Sequence, residues 1–345
     1  MIAQGSLFEA RLDAAVEREN PLQDVHVDVT FTAPSGRTHT VAAFWDGGRV
    51  FRARLAPDEP GAWSWRSQAS DTTDAGLHAR SSSFQVSEQV APHPVAKHGA
   101  LRVSASRTHL EHADGTPFFW LGDTAWNGCL RASAADWDEY LAHRVRQGFT
   151  TVQVVLTQWL AAGGDADSRT AWLGRERIAV DPWFFQRLDE RMAAIARHGL
   201  VAVPIVLWAA TWNPLALDLN PGTYLPDDQL QLLGRYLVGR YGAQPCVWML
   251  AGDGDYRGPF ARRWHTLGRA LFAGQGGSDR ALVTMHPGGQ HWLGPDFRRE
   301  PWFDFIGYQG CHWDDDEHLR WLVEGPPATD WRTEPRKPVI NLEPN

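Results

Sequence analysis

Polar and apolar residues alternate through Val25–Thr32, with Val25, Val27, Val29 and Phe31 on one face and His26, Asp28, Thr30 and Thr32 on the other. That period of two predicts a half-buried antiparallel strand. "PSG" follows as a turn, and "THTVAAFWDGGRVFRARLAP" reads as a hairpin around Asp46-Gly47-Gly48. "GAWSWRSQAS" and "SSSFQVSE" supply two further strands, and no helical period occurs before residue 130. Residues 1–90 are therefore predicted as a small all-β, Ig-like sandwich, and 91–99, with two prolines, as a linker.

From residue 100 the period changes. After a hairpin-like lead-in, strands and helices alternate. "FFWLGD" is read as a buried strand ending on a carboxylate. "SAADWDEYLAHRVRQG" carries a capping signal at Ser133 and Asp136, apolar residues at Trp137, Tyr140, Leu141 and Val145, and a stop at Gly148. "FTTVQVVLTQW" is the next strand, and "DPWFFQRLDERMAAIARHG" a helix with Pro182 at its first position and Gly199 past its end. "LVAVPIVLW" is a continuous apolar run, as a strand covered on both faces should be. Helices follow at 226–242, 258–274 and 317–325, and strands at "CVWMLAGD", "ALVTMHPGG", "FDFIGYQG" and "KPVINLEPN". Seven strands in a βα series over 100–345 predict a (β/α)8 TIM-type barrel, with the chain appearing to end after the seventh strand. A doubly wound open sheet is the alternative, but no glycine-rich phosphate loop follows the first strand.

Strand ends locate the chemistry, because a barrel's active site lies at the C-terminal ends of its strands. Those ends fall on Asp123, Gln158-Trp159, Trp208, Asp253, His286, Tyr308-Gln309 with His312 just beyond, and Glu343. Each carboxylate has a second reading as a helix cap. Asp253 and Glu343 fit that reading least, since "VWMLAG" and "VINL" are apolar strands and Pro344 keeps the chain extended after Glu343. Two carboxylates facing across a pocket suit glycosidic cleavage, one as a protonated acid and the other as an ionised nucleophile or stabiliser. Their separation, which distinguishes retention from inversion, is not legible in sequence.

Composition narrows the partners. Eighteen tryptophans suggest flat apolar rings on which a saccharide can stack, although many must belong to the core. The net charge of −8 argues against a nucleic-acid partner, and no apolar run is long enough to span a membrane. Three cysteines at Cys129, Cys246 and Cys311 form neither a disulfide framework nor a zinc pattern. "HWDDDEH" looks metal-like, but an acidic first helical turn accounts for it, so neither metal nor other cofactor is expected. The first twenty residues contain no apolar signal segment, which points to a cytoplasmic protein as given, or to a periplasmic or secreted one had a signal been removed.

Taken in order, "GTPFFWLGDTAW", "YLAHRVRQGFTTVQVV", "WFFQRLDERMAAIARHGLVAVPIVLW", "GRYGAQPCVWMLAGD", "VTMHPGG" and "KPVINLEPN" resemble the apiosidase-like glycoside hydrolases, a (β/α)8 family built on the DUF4038 domain, with glycoside hydrolase family 140 and the retaining clan A as kin. The preceding strands resemble the DUF5060 sandwich. The resemblance implies a retaining double displacement with Asp253 as acid/base and Glu343 as nucleophile. It implies a sugar subsite formed by Asp123, Trp126, Gln158, His286 and Tyr308, to which the strand ends add Trp159, Trp208, Gln309 and His312 as candidate substrate contacts. The expected partner is a saccharide of plant (pectic) or related type, losing a terminal sugar. A non-catalytic carbohydrate-binding barrel is the alternative.

Overall fold

In the computed structural model, residues 1–272, 281–313 and 315–344 are described. The predicted end of one helix at Ala273-Gly274, Asp314 of the acidic turn and Asn345 of the last strand lie outside them.

The N-terminal region is two sheets. One orders strands Ile2–Gln4, Ser81–Val90, Gly61–Ala69, Val27–Thr32 and Thr38–Ala42 side by side; the other orders Phe8–Asp13, Val50–Leu55 and Phe44–Trp45. Alternation does what it predicts: Val27, Val29 and Phe31 are buried against Trp63, Trp65, Phe51 and Ala53. The predicted hairpin differs in one respect. Phe44–Trp45 and Val50–Leu55 pair antiparallel across Asp46-Gly47-Gly48 as expected, but Thr38–Ala42 belongs to the other sheet, the chain crossing over at Ala43, whose N–H still donates to Val27 O at 2.9 Å. The first two strands are not among those predicted: Ile2–Gln4 is only three residues long, while Phe8–Asp13 alternates apolar and charged residues and buries Ala10 and Leu12. Within 91–99, Pro94–His98 forms a short helix capped by His93, whose Nδ1 accepts from the Val95 N–H at 3.0 Å.

The remainder is mixed α/β. Its parallel strands are β1 (Gly122–Thr124), β2 (Thr151–Val155), β3 (Val201–Trp208), β4 (Trp248–Gly254), β5 (Val283–Pro287), β6 (Ile306–Gln309) and β7 (Val339–Glu343). The helices between them are α1 (Ala134–Arg146), α2 (Pro182–Arg197), α3 (Asp227–Tyr241), α4 (Ala261–Phe272) and α5 (Asp316–Glu324). Caps lie where sequence placed them: Ser133 Oγ accepts from the Asp136 N–H at 3.1 Å, and Asp181 from the Trp183 N–H at 2.9 Å. Asp315 caps α5 through the Glu317 and His318 N–H groups, which uses the acidic "DDDEH" turn locally.

The (β/α)8 expectation is met in part. Among the described residues the seven strands form two ladders, β1-β2-β3-β4-β5 and β6-β7, rather than one closed sheet. Side chains stitch the seam between them. Thr284 Oγ1 donates to Phe305 O at 2.8 Å and accepts from the Gly307 N–H at 3.1 Å, while Asp304 Oδ2 accepts from the Val283 N–H at 2.7 Å. On the far side, buried Gln153 of β2 donates from Nε2 to Leu342 O of β7 at 2.6 Å.

The first strand is also shorter than expected. Pro117–Phe118 pairs antiparallel with Leu110–Glu111, Phe119 is exposed, and the parallel strand begins only at Gly122. "FFWLGD" is therefore a lead-in hairpin followed by a three-residue strand, since a run of apolar residues alone does not distinguish the two.

The sandwich docks on α2 and α3 through buried charge. Arg240, fully buried, holds Asp189 and Asp46 at 2.8 Å each, and Arg54 holds Asp189 at 2.6 Å. Both guanidinium groups lie over the Phe44 ring, at 4.6 and 4.8 Å from its centroid. Burial alone would push the Asp189 carboxyl up, but Arg54 and Arg240 outweigh it and hold it below its ordinary range.

Candidate active site

The strand register brings three positions into a row: Trp208 on β3 lies beside Gly252 on β4, and Gly252 beside His286 on β5. A Cβ on Gly252 would stand 2.6 Å from the Trp208 ring. The missing side chain lets the Trp208 indole and the His286 imidazole stack across it, with ring centres 6.4 Å apart and planes at 27°. Trp126, just past β1, closes this wall edge-on to both, at 5.5 Å from Trp208 and 5.2 Å from His286. Trp159 adds a fourth ring 4.3 Å from Trp208 and is fixed by donating to Asn127 Oδ1 at 2.6 Å.

Glu343, at the end of β7, sits against this wall. Its Oε2 lies 3.2 Å from His286 Nε2, its Oε1 accepts from the Trp126 Nε1–H at 3.4 Å, and His312 Nε2 lies 3.8 Å from Oε1. Burial pushes the Glu343 carboxyl up, but His286, Trp126 and His312 together outweigh burial and hold it below its ordinary range. The group is an ionised, partly dehydrated carboxylate. The Trp208 Nε1 and His286 Nδ1 atoms are buried with no protein partner.

Asp253 sits at the end of β4 in the left-handed region, at φ +58°, a conformation that costs a non-glycine residue energy and clusters at functional sites. Its Oδ1 accepts from Gln309 Nε2 at 3.0 Å and its Oδ2 from Trp212 Nε1 at 2.6 Å. Gln309 Nε2 also donates to Pro287 O at 2.7 Å, and the Gln309 backbone pairs with Glu343 in the β6-β7 ladder. One residue thus connects the two carboxylates. Asp255, two residues on, is turned aside: Arg257 clasps it with two bonds of 2.9 Å and, against the opposing effect of burial, draws its carboxyl down to about 2.

The nominated residues divide accordingly. Asp253, Glu343, Trp126, Trp159, Trp208, His286, Gln309 and His312 are gathered at one end of the strands through the contacts given above. Three others point elsewhere. The Asp123 carboxylate faces α1, where it accepts from Tyr140 Oη at 2.6 Å and pairs with Arg144. Gln158 is buried and spends both ends on the 171–172 backbone, donating to Trp172 O and accepting from the Ala171 N–H at 2.9 Å each. Tyr308 faces the opposite side of β6 from Gln309, with its ring 5.9 Å from Trp321 of α5 and 6.0 Å from Trp292. For Asp123 and Tyr308 the side of the strand, which a strand-end reading cannot assign, decides the outcome; Gln158 lies past the end of β2 and turns to the 171–172 backbone. Trp212 was not singled out from sequence; its place in "LWAATWNP", four residues beyond a strand end already chosen, was the available signal.

Among the described residues no group of three or more His, Cys, Asp or Glu side chains is arranged to hold a metal ion. No helix in them is long and apolar enough to cross a membrane.

Comparison with known proteins gives this arrangement a family. Residues 104–345 match the apiosidase-like catalytic domain, and residues 3–70 match DUF5060, a domain of unknown function. No curated protein matches the chain. A candidate glycoside hydrolase from Bacteroides vulgatus ATCC 8482 superposes with a TM-score of 0.74 at 20% identity, over 98% of this chain and 64% of that one. A glycoside hydrolase family 5 protein from the same organism gives 0.58 at 22% identity, over 73% and 54% of the two chains. A further glycoside hydrolase gives 0.58 at 24%, over 73% and 57%. At such identities the likeness is one of fold, and the chain spans 54–64% of the length of these proteins. The catalytic-domain match, by contrast, takes in all seven parallel strands and both carboxylates, and the chain belongs to the apiosidase-like family.

Proposed function

We propose that the protein is a retaining glycoside hydrolase that removes a terminal sugar from a pectic or related plant-type saccharide. Glu343 is the nucleophile and Asp253 the acid/base. The observation that carries the reading is the state of Glu343: a mostly buried carboxylate kept ionised by His286, at the end of a strand, against a wall of rings. An ionised carboxylate with little water around it is poised to attack an anomeric carbon.

In the first step Glu343 forms a bond to the anomeric carbon as the glycosidic bond breaks, and the proton of Asp253 goes to the departing oxygen. In the second, Asp253 takes a proton from water, the water oxygen attacks the same carbon, and Glu343 leaves as the carboxylate. Retention requires the two carboxyl groups to lie about 5 Å apart, and their linkage through one glutamine favours a short separation. The sugar stacks on Trp126, the half-buried ring of the wall, behind which the buried Trp208 and His286 rings hold it in place. The reading treats the five- and two-strand ladders as parts of one (β/α)8-type barrel and the sandwich as its support.

The test is a panel of aryl glycosides and pectic oligosaccharides run on the parent protein and on Glu343→Gln, with folding of both checked by circular dichroism. Turnover in the parent, lost in the variant, is expected, with NMR showing a product of unchanged anomeric configuration. Inverted product would reject the double displacement. Saccharide binding without turnover in either protein would instead identify a non-catalytic binding barrel.

A further inference from the structure

Trp212 lies on the segment that leaves β3. The base of that segment is fixed: Ala209 and Ala210 are buried, the Ala209 N–H donates to Gly252 O at 2.8 Å, and Asn220 Nδ2 donates to Ala210 O at 2.9 Å. Two residues further on, the Trp212 ring is 63% exposed. A single exposed ring is ordinary on a protein surface, as at Trp183; what marks Trp212 is the group its indole holds. The one polar atom of the indole, Nε1, donates to Asp253 Oδ2 at 2.6 Å, so the ring is held beside that carboxyl with its face open to solvent.

The two oxygens of Asp253 are not equivalent. Oδ1 is held by Gln309, whose own amide is buried and shared with Pro287 O. Oδ2 is held by the indole at the solvent side. A carboxyl oxygen offers two lone-pair directions. With one of those on Oδ2 taken by the Trp212 N–H, the other carries the proton and fixes where it is delivered.

We propose that Trp212 is a positioning residue for the Asp253 carboxyl and the platform on which the leaving group stacks, so that this one side chain couples acid assistance to the choice of leaving group. The inference rests on the glycosidase reading and deepens it. In glycosylation the Oδ2 proton passes to the departing oxygen while the bond from that oxygen to the anomeric carbon breaks; the departing alcohol then lies over the exposed indole. A sugar or aryl alcohol with a flat apolar face fits that platform.

The test uses the full chain and two variants. Trp212→Phe keeps a ring and removes the N–H; Trp212→Ala removes both. Each is assayed on the 2,4-dinitrophenyl glycoside of the sugar that the parent cleaves, whose leaving group departs without a proton, and on the matching methyl glycoside, whose leaving group needs one. Positioned general acids contribute about 10²–10⁴-fold, so Trp212→Phe is expected to lower kcat/KM on the methyl glycoside by roughly tenfold or more and to leave kcat/KM on the dinitrophenyl glycoside nearly unchanged, because kcat/KM reports the first step and leaves out the later one in which Asp253 acts as base. Trp212→Ala is expected to raise KM for aryl and disaccharide substrates above that of Trp212→Phe. Equal losses of kcat/KM on both leaving groups, or no loss on either, would overturn the proposal while Glu343→Gln remained inactive. A parent protein without turnover, or an active Glu343→Gln, would remove the glycosidase reading and this inference with it.

Discussion

Gln309 donates from Nε2 to Oδ1 of Asp253 at 3.0 Å while its backbone pairs with Glu343. The spacing of the two carboxylates thus depends on one side chain that itself titrates nothing. Gln309→Leu is expected to keep the fold and to lose roughly ten- to a hundredfold in kcat, because a 1 Å misplacement of a reacting group carries losses of that order. Steady-state kinetics beside a thermal melt measure both; an undiminished kcat would show that the glutamine does not position Asp253.

The Glu343 carboxyl has a definite pH signature. It is held below its ordinary range in the folded protein, with burial opposing and His286 leading the groups that outweigh burial. Stability from this group is fully present above the unfolded carboxylate value, near ~4.3, and is lost as pH falls through the depressed folded value. Activity on the acid side should fall over the same range, since the nucleophile must be ionised. His286→Phe removes the stabilising partner, so the acid limb of kcat/KM should move to higher pH. An acid limb that stays put in His286→Phe would assign that limb to a different group.

Asp123 provides a contrast. Its carboxylate serves Tyr140 and Arg144 on α1 rather than the ring wall. Asp123→Asn is expected to cost about 1.5–3 kcal/mol, the worth of a hydrogen bond to a charged group, and to leave kcat/KM close to that of the parent. A melt and a kinetic run on the same preparation separate the two; a selective fall in kcat/KM would return Asp123 to the sugar subsite.

Asp189 joins the sandwich to the α/β region by accepting from Arg54 and the fully buried Arg240. Asp189→Leu leaves those guanidinium charges partly unpaired and is expected to destabilise by about 3–5 kcal/mol. The Asp189 carboxyl is depressed in the folded state, so its contribution is present above the unfolded carboxylate range and lost as pH falls through the folded value. Urea melts of parent and variant at neutral and acidic pH check this: the gap between them should narrow on acidification.

Gly252 should tolerate no side chain. A Cβ there would meet the Trp208 ring at 2.6 Å and Ile205 Cδ1 at 2.8 Å, both inside buried structure. Gly252→Ala is expected to displace Trp208, cost about 1–3 kcal/mol as overpacking does, and lower kcat/KM. A crystal structure of the variant with Trp208 unmoved would contradict the account of the row.

Sequence by itself determined the elements that local chemistry controls. The alternation at Val27–Phe31, the caps at Ser133 and Asp181 and the glycine stops at 148 and 199 each follow from interactions within a few residues. It also located the ends of strands, and with them Asp253 and Glu343, because an apolar run stopping at an acid is visible in one dimension.

Only the tertiary structure decided which side of each strand a residue faced and what stood opposite. The side separates Gln309, which reaches Asp253, from Tyr308, which packs toward α5. It turns Asp123 away from the ring wall, and hydrogen bonds to the 171–172 backbone do the same for Gln158 past the end of β2. The Trp208–Gly252–His286 row, the His286–Glu343 contact and the reach of Trp212 to Asp253 join residues 34 to 78 positions apart, as contacts between separate strands require. Such contacts form when separate strands come into register, and register is a property of the sheet rather than of any segment.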